Sequence, residues 1–221
     1  WKEDKLARIF HQRKNVSIQP KRNEIVDTVY VNQLGGIDKF LPKVERHLSL
    51  VRSSKVFIAD GAKWIWNWVV DNYPGATQIL DYYHAVEKIV HLAKLHFKDK
   101  NKKEPWLKQQ KELLLDDGVF QVIDNIKKLK TKNENSSAAK EAALRYYEEH
   151  EDRMIYKTYK DKGLLIGSGP IEAAHRNLIQ QRLKLSGQKW SIKGANATAN
   201  LRCYNKRNSW HLIDELIRLA A

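Results

Sequence analysis

The chain has 221 residues and carries 40 Lys and Arg against 26 Asp and Glu, a formal net charge of +14 with a pI near 9.7. Hydrophobic residues make up 42% and charged residues 30%, a composition that excludes a disordered, fibrous or collagen-like chain and points to a polyanionic partner. No apolar run approaches the roughly 20 residues that span a bilayer, so no membrane partner is expected. The opening Trp1-Lys2-Glu3-Asp4-Lys5 has no apolar core of a signal peptide. Cys203 is the single cysteine, which excludes an intrachain disulfide and fits a reducing, cytoplasmic compartment. The first residue is Trp1 and the single Met is Met154, so the sequence reads as a fragment without its natural N-terminus.

Lys5–Phe10 is a short mixed strand candidate, and Asp27–Val31 a clearer one by its β-branched and aromatic content. Gly35-Gly36 breaks the chain. Phe40, Leu41, Val44, Leu48 and Val51 then recur at helical spacing over 37–52. Lys55–Asp60 reads as a buried strand with a carboxylate at its C-terminal end. Residues 62–72, with Trp64, Trp66 and Trp68 as packing residues, read as a buried helix. Thr77–Asp81 is another short strand ending in an acid. From His84 to about Lys162 the periodicity is helical, with a polar break over Lys130–Ser137. Residues 85–165 hold 18 basic against 14 acidic residues, as expected of an insertion with solvated faces. Gly163–Pro170 is a glycine-rich loop. Pro170 starts a helix to about Leu185, and helices follow over about 192–207 and 210–220. This order predicts a mixed α/β core, residues 1–84, then a helical insertion over 85–162, then core helices over 163–221.

Asp60 ends a predicted core strand, where carboxylates of α/β proteins face the ligand crevice, although Asp is also a preferred helix cap. Asp81 and His84 stand three apart where a strand gives way to a helix; alone, that spacing is more often a cap beside a packed His. In Gly167-Ser168-Gly169-Pro170-Ile171-Glu172, the glycines allow close backbone approach and the acid falls in a first helical turn, which the helix dipole favours. His175 and Arg176 lie on the same side of that helix as Glu172. Residues 173–207 hold Arg176, Arg182, Lys184, Lys189, Lys193, Arg202, Lys206 and Arg207 and no acid. Arg176, Arg182, Lys184, Lys189 and Lys193 are therefore candidate contacts to a polyanion. Trp190 is a candidate stacking residue, against the commoner alternative of a core Trp. Asp60 and Glu172 could supply two of the three carboxylates of a two-metal phosphoryl-transfer site.

Phe57–Asn67, Tyr73-Pro74-Gly75-Ala76, Ile79–Ala85, Gly167–Glu172 and Gln181-Arg182-Leu183-Lys184 together resemble the DDE transposases of bacterial insertion sequences. The match is to the insertion-sequence Kra family, related to the Mutator-like transposases, and runs from Trp1-Lys2-Glu3 to the Leu201-Arg202 region. The resemblance implies a ribonuclease-H-like core with an all-helical insertion before the last catalytic helix. It implies Asp60 and Glu172 as catalytic and metal-binding acids, Mg²⁺ (or Mn²⁺) as cofactor, and Asp81, His84 and His175 as supporting groups behind them. Its partners would be double-stranded transposon ends and target DNA, and a second copy of the chain, at a bacterial nucleoid. The family's first catalytic Asp lies upstream of the Trp-Lys-Glu motif. It is expected outside these 221 residues, Asp4 and Asp27 do not match it, and the fragment alone is expected to be inactive. Two alternatives stand beside this: a catalytically inactive, transposase-derived DNA-binding protein, and a helical carboxylate-bridged di-iron oxidase built on Asp81-x-x-His84 and Glu172-x-x-His175.

Overall fold

The computed structural model describes residues 3–19, 22–131 and 133–220; Trp1-Lys2 of the resemblance lie outside them. The chain is mixed α/β and forms two compact units, 1–53 with 169–221, and 54–168. Residues 54–84, assigned by their pattern to the first segment, pack instead with the helical segment that follows. The reason lies in the apolar surface of their strands, which is covered by helices from 85–168.

In the first unit, β1 (Asp4–Phe10) and β4 (Thr28–Leu34) pair antiparallel in the register Asp4↔Leu34 to Phe10↔Thr28. Between them β2 (Asn15–Gln19) and β3 (Arg22–Ile25) form a separate antiparallel pair. Both short strands escape the sequence analysis: β2 alternates only Val16 and Ile18, both exposed, and β3 has Ile25 as its one apolar residue. Helix α1 (Ile37–Leu48) buries Phe40, Val44 and Leu48, a stripe at four-residue spacing. Helix α10 (Ile192–Lys206) buries Ala195, Ala199 and Cys203, also four apart, and these small side chains let it lie close on β4. Asn196 on the same helix accepts the Leu34 N–H at 2.7 Å, capping the end of β4. The core of this unit joins Tyr30, Ala174, Leu178, Ile179, Ala199 and Cys203. The helix expected from Pro170 to Leu185 is interrupted. Helix α8 (Gly169–His175) is followed by a π-helical turn, Arg176–Gln180, and a last short turn α9 (Gln181–Leu183). Helix α11 (His211–Ala220) closes the chain.

In the second unit, β5 (Val56–Ala59) and β6 (Thr77–Leu80) are parallel, and α2 (Lys63–Asn72) makes the crossover that a parallel pair requires. Helices α3 (Tyr82–His96), α4 (Lys100–Leu115), α5 (Val119–Lys128), α6 (Glu134–His150) and α7 (Tyr156–Asp161) complete it. The polar break is shorter than its composition suggests, because Asn133 and Ser136 form a capping box and α6 already starts at Glu134. Trp66 is buried, while Trp68 packs edge-on to Phe57 and Tyr73, consistent with their role as packing residues. Leu80, Ile89, Leu92, Leu114, Ile126 and Tyr147 lie at the centre of one continuous core. Among the described residues no helix is long and apolar enough to cross a membrane.

The Tyr147 hydroxyl, fully buried, donates to the Ala85 carbonyl at 2.7 Å and so ties α6 to the first turn of α3. Tyr147→Phe removes that bond without changing the volume. It is expected to lower the unfolding free energy by about 1 kcal/mol, measured by urea denaturation with an unchanged m-value.

Candidate functional site

The second unit assembles one polar cluster at the C-terminal ends of its parallel strands. Asp60 follows β5, is exposed, and accepts the Ala62 N–H at 3.0 Å, which bends the chain into α2. Its carbonyl accepts the Trp66 indole N–H at 2.8 Å. Gly61 has no room for a side chain: a Cβ there would lie 2.4 Å from the Tyr146 ring and 3.1 Å from His150 Nε2. Asp60 therefore shapes the entry to α2 without being its N-cap, which is Ala62, and stays exposed at the strand end.

Asp81 follows β6 and is completely buried. Its Oδ1 accepts the N–H groups of Tyr83 and His84 at 2.6 and 3.2 Å, capping α3. Its Oδ2 accepts the Ser168 N–H at 2.7 Å and lies 3.3 Å from His84 Nδ1. Burial alone would raise its pKa, but the hydrogen bonds from His84 and Ser168 outweigh that and hold the carboxyl down at about 2. The same contact raises the pKa of His84, against the opposing effect of its own burial, with further help from Asp81, Glu87 and Asp60 as nearby negative charges. Both oxygens of Asp81 are thus engaged by protein donors, which suits a supporting group rather than a metal ligand.

Tyr146 and His150 were hidden in the segment read as a solvated insertion. They stand four apart on α6 and face Gly61, and only that i, i+4 spacing could have drawn attention to them. Burial, then the charges of Asp60, Asp81 and Glu87, push the Tyr146 phenol well up, so it keeps its proton. Its hydroxyl is buried without a hydrogen-bond partner among the described residues, and Lys88 Nζ lies 5.0 Å from the ring centroid. Burial lowers the pKa of His150 and keeps it neutral. Gly167 passes so close to Tyr83 that a Cβ would approach the ring to 2.7 Å, the close approach its loop was expected to permit.

In the first unit Glu172 is exposed in the first turn of α8. Arg8 anchors the start of that helix to β1, donating to the Pro170 carbonyl at 3.1 Å and to Ile25 O at 3.0 Å. His175 turns toward β1: its Nε2 is 3.4 Å from Asp4 Oδ2, and Gln180 Nε2 is 3.4 Å from its Nδ1. Asn32 donates to the other oxygen of Asp4. Asp4, unassigned by sequence, is therefore the partner of His175. Burial raises the Cys203 thiol to about 12, so it is a packing residue and not a nucleophile.

Arg176, Arg182, Lys184, Lys189 and Lys193 are all exposed, as a polyanion-binding face requires. Trp190 is half-buried, with the Arg182 guanidinium 5.1 Å from its ring centroid and its own N–H donated to Gln188 Oε1 at 3.2 Å. Among the described residues, no three His, Cys, Asp or Glu side chains gather closely enough to hold a metal ion. Asp60 lies in the second unit and Glu172 in the first, and both residues are exposed. No known protein family, curated protein or solved structure matches the chain.

The Asp81 cluster has a pH signature. A carboxyl held at about 2, below its ordinary value of 3.8, contributes stability above the ordinary value that is lost as pH falls through about 2, on the order of 2 kcal/mol. His84 works in the opposite sense: its raised pKa contributes stability in full below its ordinary value of 6.5, lost as pH rises through the folded value. Asp81→Asn is expected to destabilise the protein at neutral pH, flatten the acid unfolding between pH 4 and 2, and return His84 toward its ordinary pKa in an NMR titration.

Proposed function

We propose that this chain is part of the catalytic core of a DDE transposase, with a ribonuclease-H-like organisation, acting on DNA by metal-dependent phosphoryl transfer. The observation that carries the reading is the acid-free basic surface of residues 173–207, whose exposed cations adjoin the helix that bears Glu172. Such a surface suits the regular negative charge of a DNA backbone, and releases counterions on binding it.

In this reading Asp60 and Glu172 are the metal-binding carboxylates, and Mg²⁺ or Mn²⁺, when bound, would activate the attacking oxygen and offset charge on the phosphate. Asp81 orients His84, raises its affinity for a proton and fixes the end of the Gly167-Ser168 loop, and His84 is then a supporting group beside the phosphate. The cations of 176–193 hold the duplex. With two of the three carboxylates such chemistry uses, the 221 residues are expected to bind DNA without strand transfer. A catalytically inactive DNA-binding descendant of a transposase shares every one of these binding features and differs in lacking metal-dependent cleavage. The di-iron reading gains no support, because Asp81 spends both oxygens on protein donors and His175 faces Asp4.

The test is duplex binding as a function of salt. Arg182→Ala with Lys184→Ala is expected to weaken binding and reduce the slope of log K against log[salt] by about 2, since each phosphate contact contributes about 0.9. An unchanged slope would remove this face from the DNA interface, and no duplex binding at low salt would remove the proposal. Robust Mg²⁺-dependent nicking or joining by this chain would contradict the two-carboxylate account.

A further inference from the structure

The basic segment contains a feature that a flat phosphate-binding surface does not need. On the first unit, Arg182, Thr198, Leu201, Arg202, Asn205 and Trp210 line an open groove of about 410 Å³. Four of these residues, Thr198, Leu201, Arg202 and Asn205, are spaced i, i+3, i+4 and i+7 and so share one face of α10. A second groove of about 320 Å³ lies alongside and shares Arg202 and Asn205, adding Gln181 and Lys206.

Two guanidiniums are held in place at these grooves. Arg202 donates from Nε to the Leu178 carbonyl at 2.8 Å and from Nη2 to the Asn177 carbonyl. Both carbonyls belong to the π-helical turn, whose wider winding alters the regular α-helical bonding. Arg182 is stacked over Trp190. Neither Arg has an acid in the lining to neutralise it. Trp210 leaves 44% of its surface exposed, at the start of a helix that buries none of its described residues. An indole left in water beside fixed cations, with a hydroxyl and an amide on the adjoining helix face, matches one ligand chemistry. The indole offers a stacking surface, the cations attract phosphate, and Thr198 and Asn205 can bond a base edge.

We propose that this groove takes an unpaired nucleobase of a DNA strand, stacked on Trp210, with its flanking phosphates at Arg182, Arg202 and Lys206. A volume of several hundred Å³ is the usual size of a small-ligand site and accommodates one nucleotide. The neighbouring groove continues the phosphate path. The inference rests on the proposed function for its choice of DNA, and adds that the chain distinguishes a strand with exposed bases from a bare charged backbone.

The experiment compares two single-stranded oligonucleotides of equal length and charge, one with normal bases and one with a central run of abasic sites, together with a duplex of the same length. The wild-type chain is expected to prefer the base-bearing strand by about tenfold, the range of one base stacked on an aromatic side chain. Trp210→Ala is expected to abolish that preference while leaving abasic-strand and duplex affinity within twofold; Trp210→Phe, which keeps an aromatic ring, is expected to retain part of it. Equal wild-type affinity for the two strands overturns the groove assignment, as does a preference that survives Trp210→Ala. Duplex binding that persists alongside either result leaves the proposed function standing, whereas failure to bind any of the three DNAs overturns both.

Discussion

A carboxylate with no solvent exposure must find all of its partners inside the protein, and Asp81 finds them in the N–H groups of Tyr83, His84 and Ser168, the Ser168 hydroxyl and the imidazole of His84. Those bonds fix where β6 ends, where α3 begins and where the loop after Leu164 and Ile166 returns. They explain why a buried acid can stay ionised, since hydrogen bonds to the charged form offset the cost of desolvation. They also give His84 its orientation and its raised proton affinity. The exposed Asp60, at the end of the neighbouring strand, adds to the negative charge that raises the proton affinity of His84 and of the Tyr146 phenol.

The two units carry different sets of polar groups. The second unit gathers acids, neutral or cationic imidazoles and a protonated phenol around two strand ends. The first unit carries the acid-free run, fixes Arg202 on the π-helical turn and Arg182 on Trp190, and leaves Trp210 in solvent.

Much of the layout was legible from periodicity. β1, β4, β5 and β6 and helices α1, α2, α10 and α11 fall within a few residues of their predicted bounds, because each has an apolar face with the spacing of its element. The β2–β3 pair was not legible, because β2 buries none of its residues and β3 is four residues long with one apolar side chain, Ile25. Nor was the π-helical turn, since Arg176–Gln180 reads as ordinary helix and depends on Arg202 to satisfy its carbonyls. That residues 54–84 pack with the helices of 85–168 was not legible, because periodicity reports that a face is apolar, not which helix covers it. At the site, Asp60, Asp81, His84 and Glu172 were visible as acids and an imidazole at element ends. Tyr146 and His150 were not, because contacts across about 90 residues of sequence leave no local trace.

In the proposed site the exposed strand-end acid Asp60, and not the buried Asp81, meets the metal. Paramagnetic line broadening by Mn²⁺, read residue by residue in the NMR spectrum of the chain, tests this directly. The account predicts broadening centred on Asp60 and its neighbours Gly61 and Ala62, lost in Asp60→Asn while the Asp81–His84 contact persists. Broadening that leaves Asp60 untouched, or that survives Asp60→Asn, would contradict it.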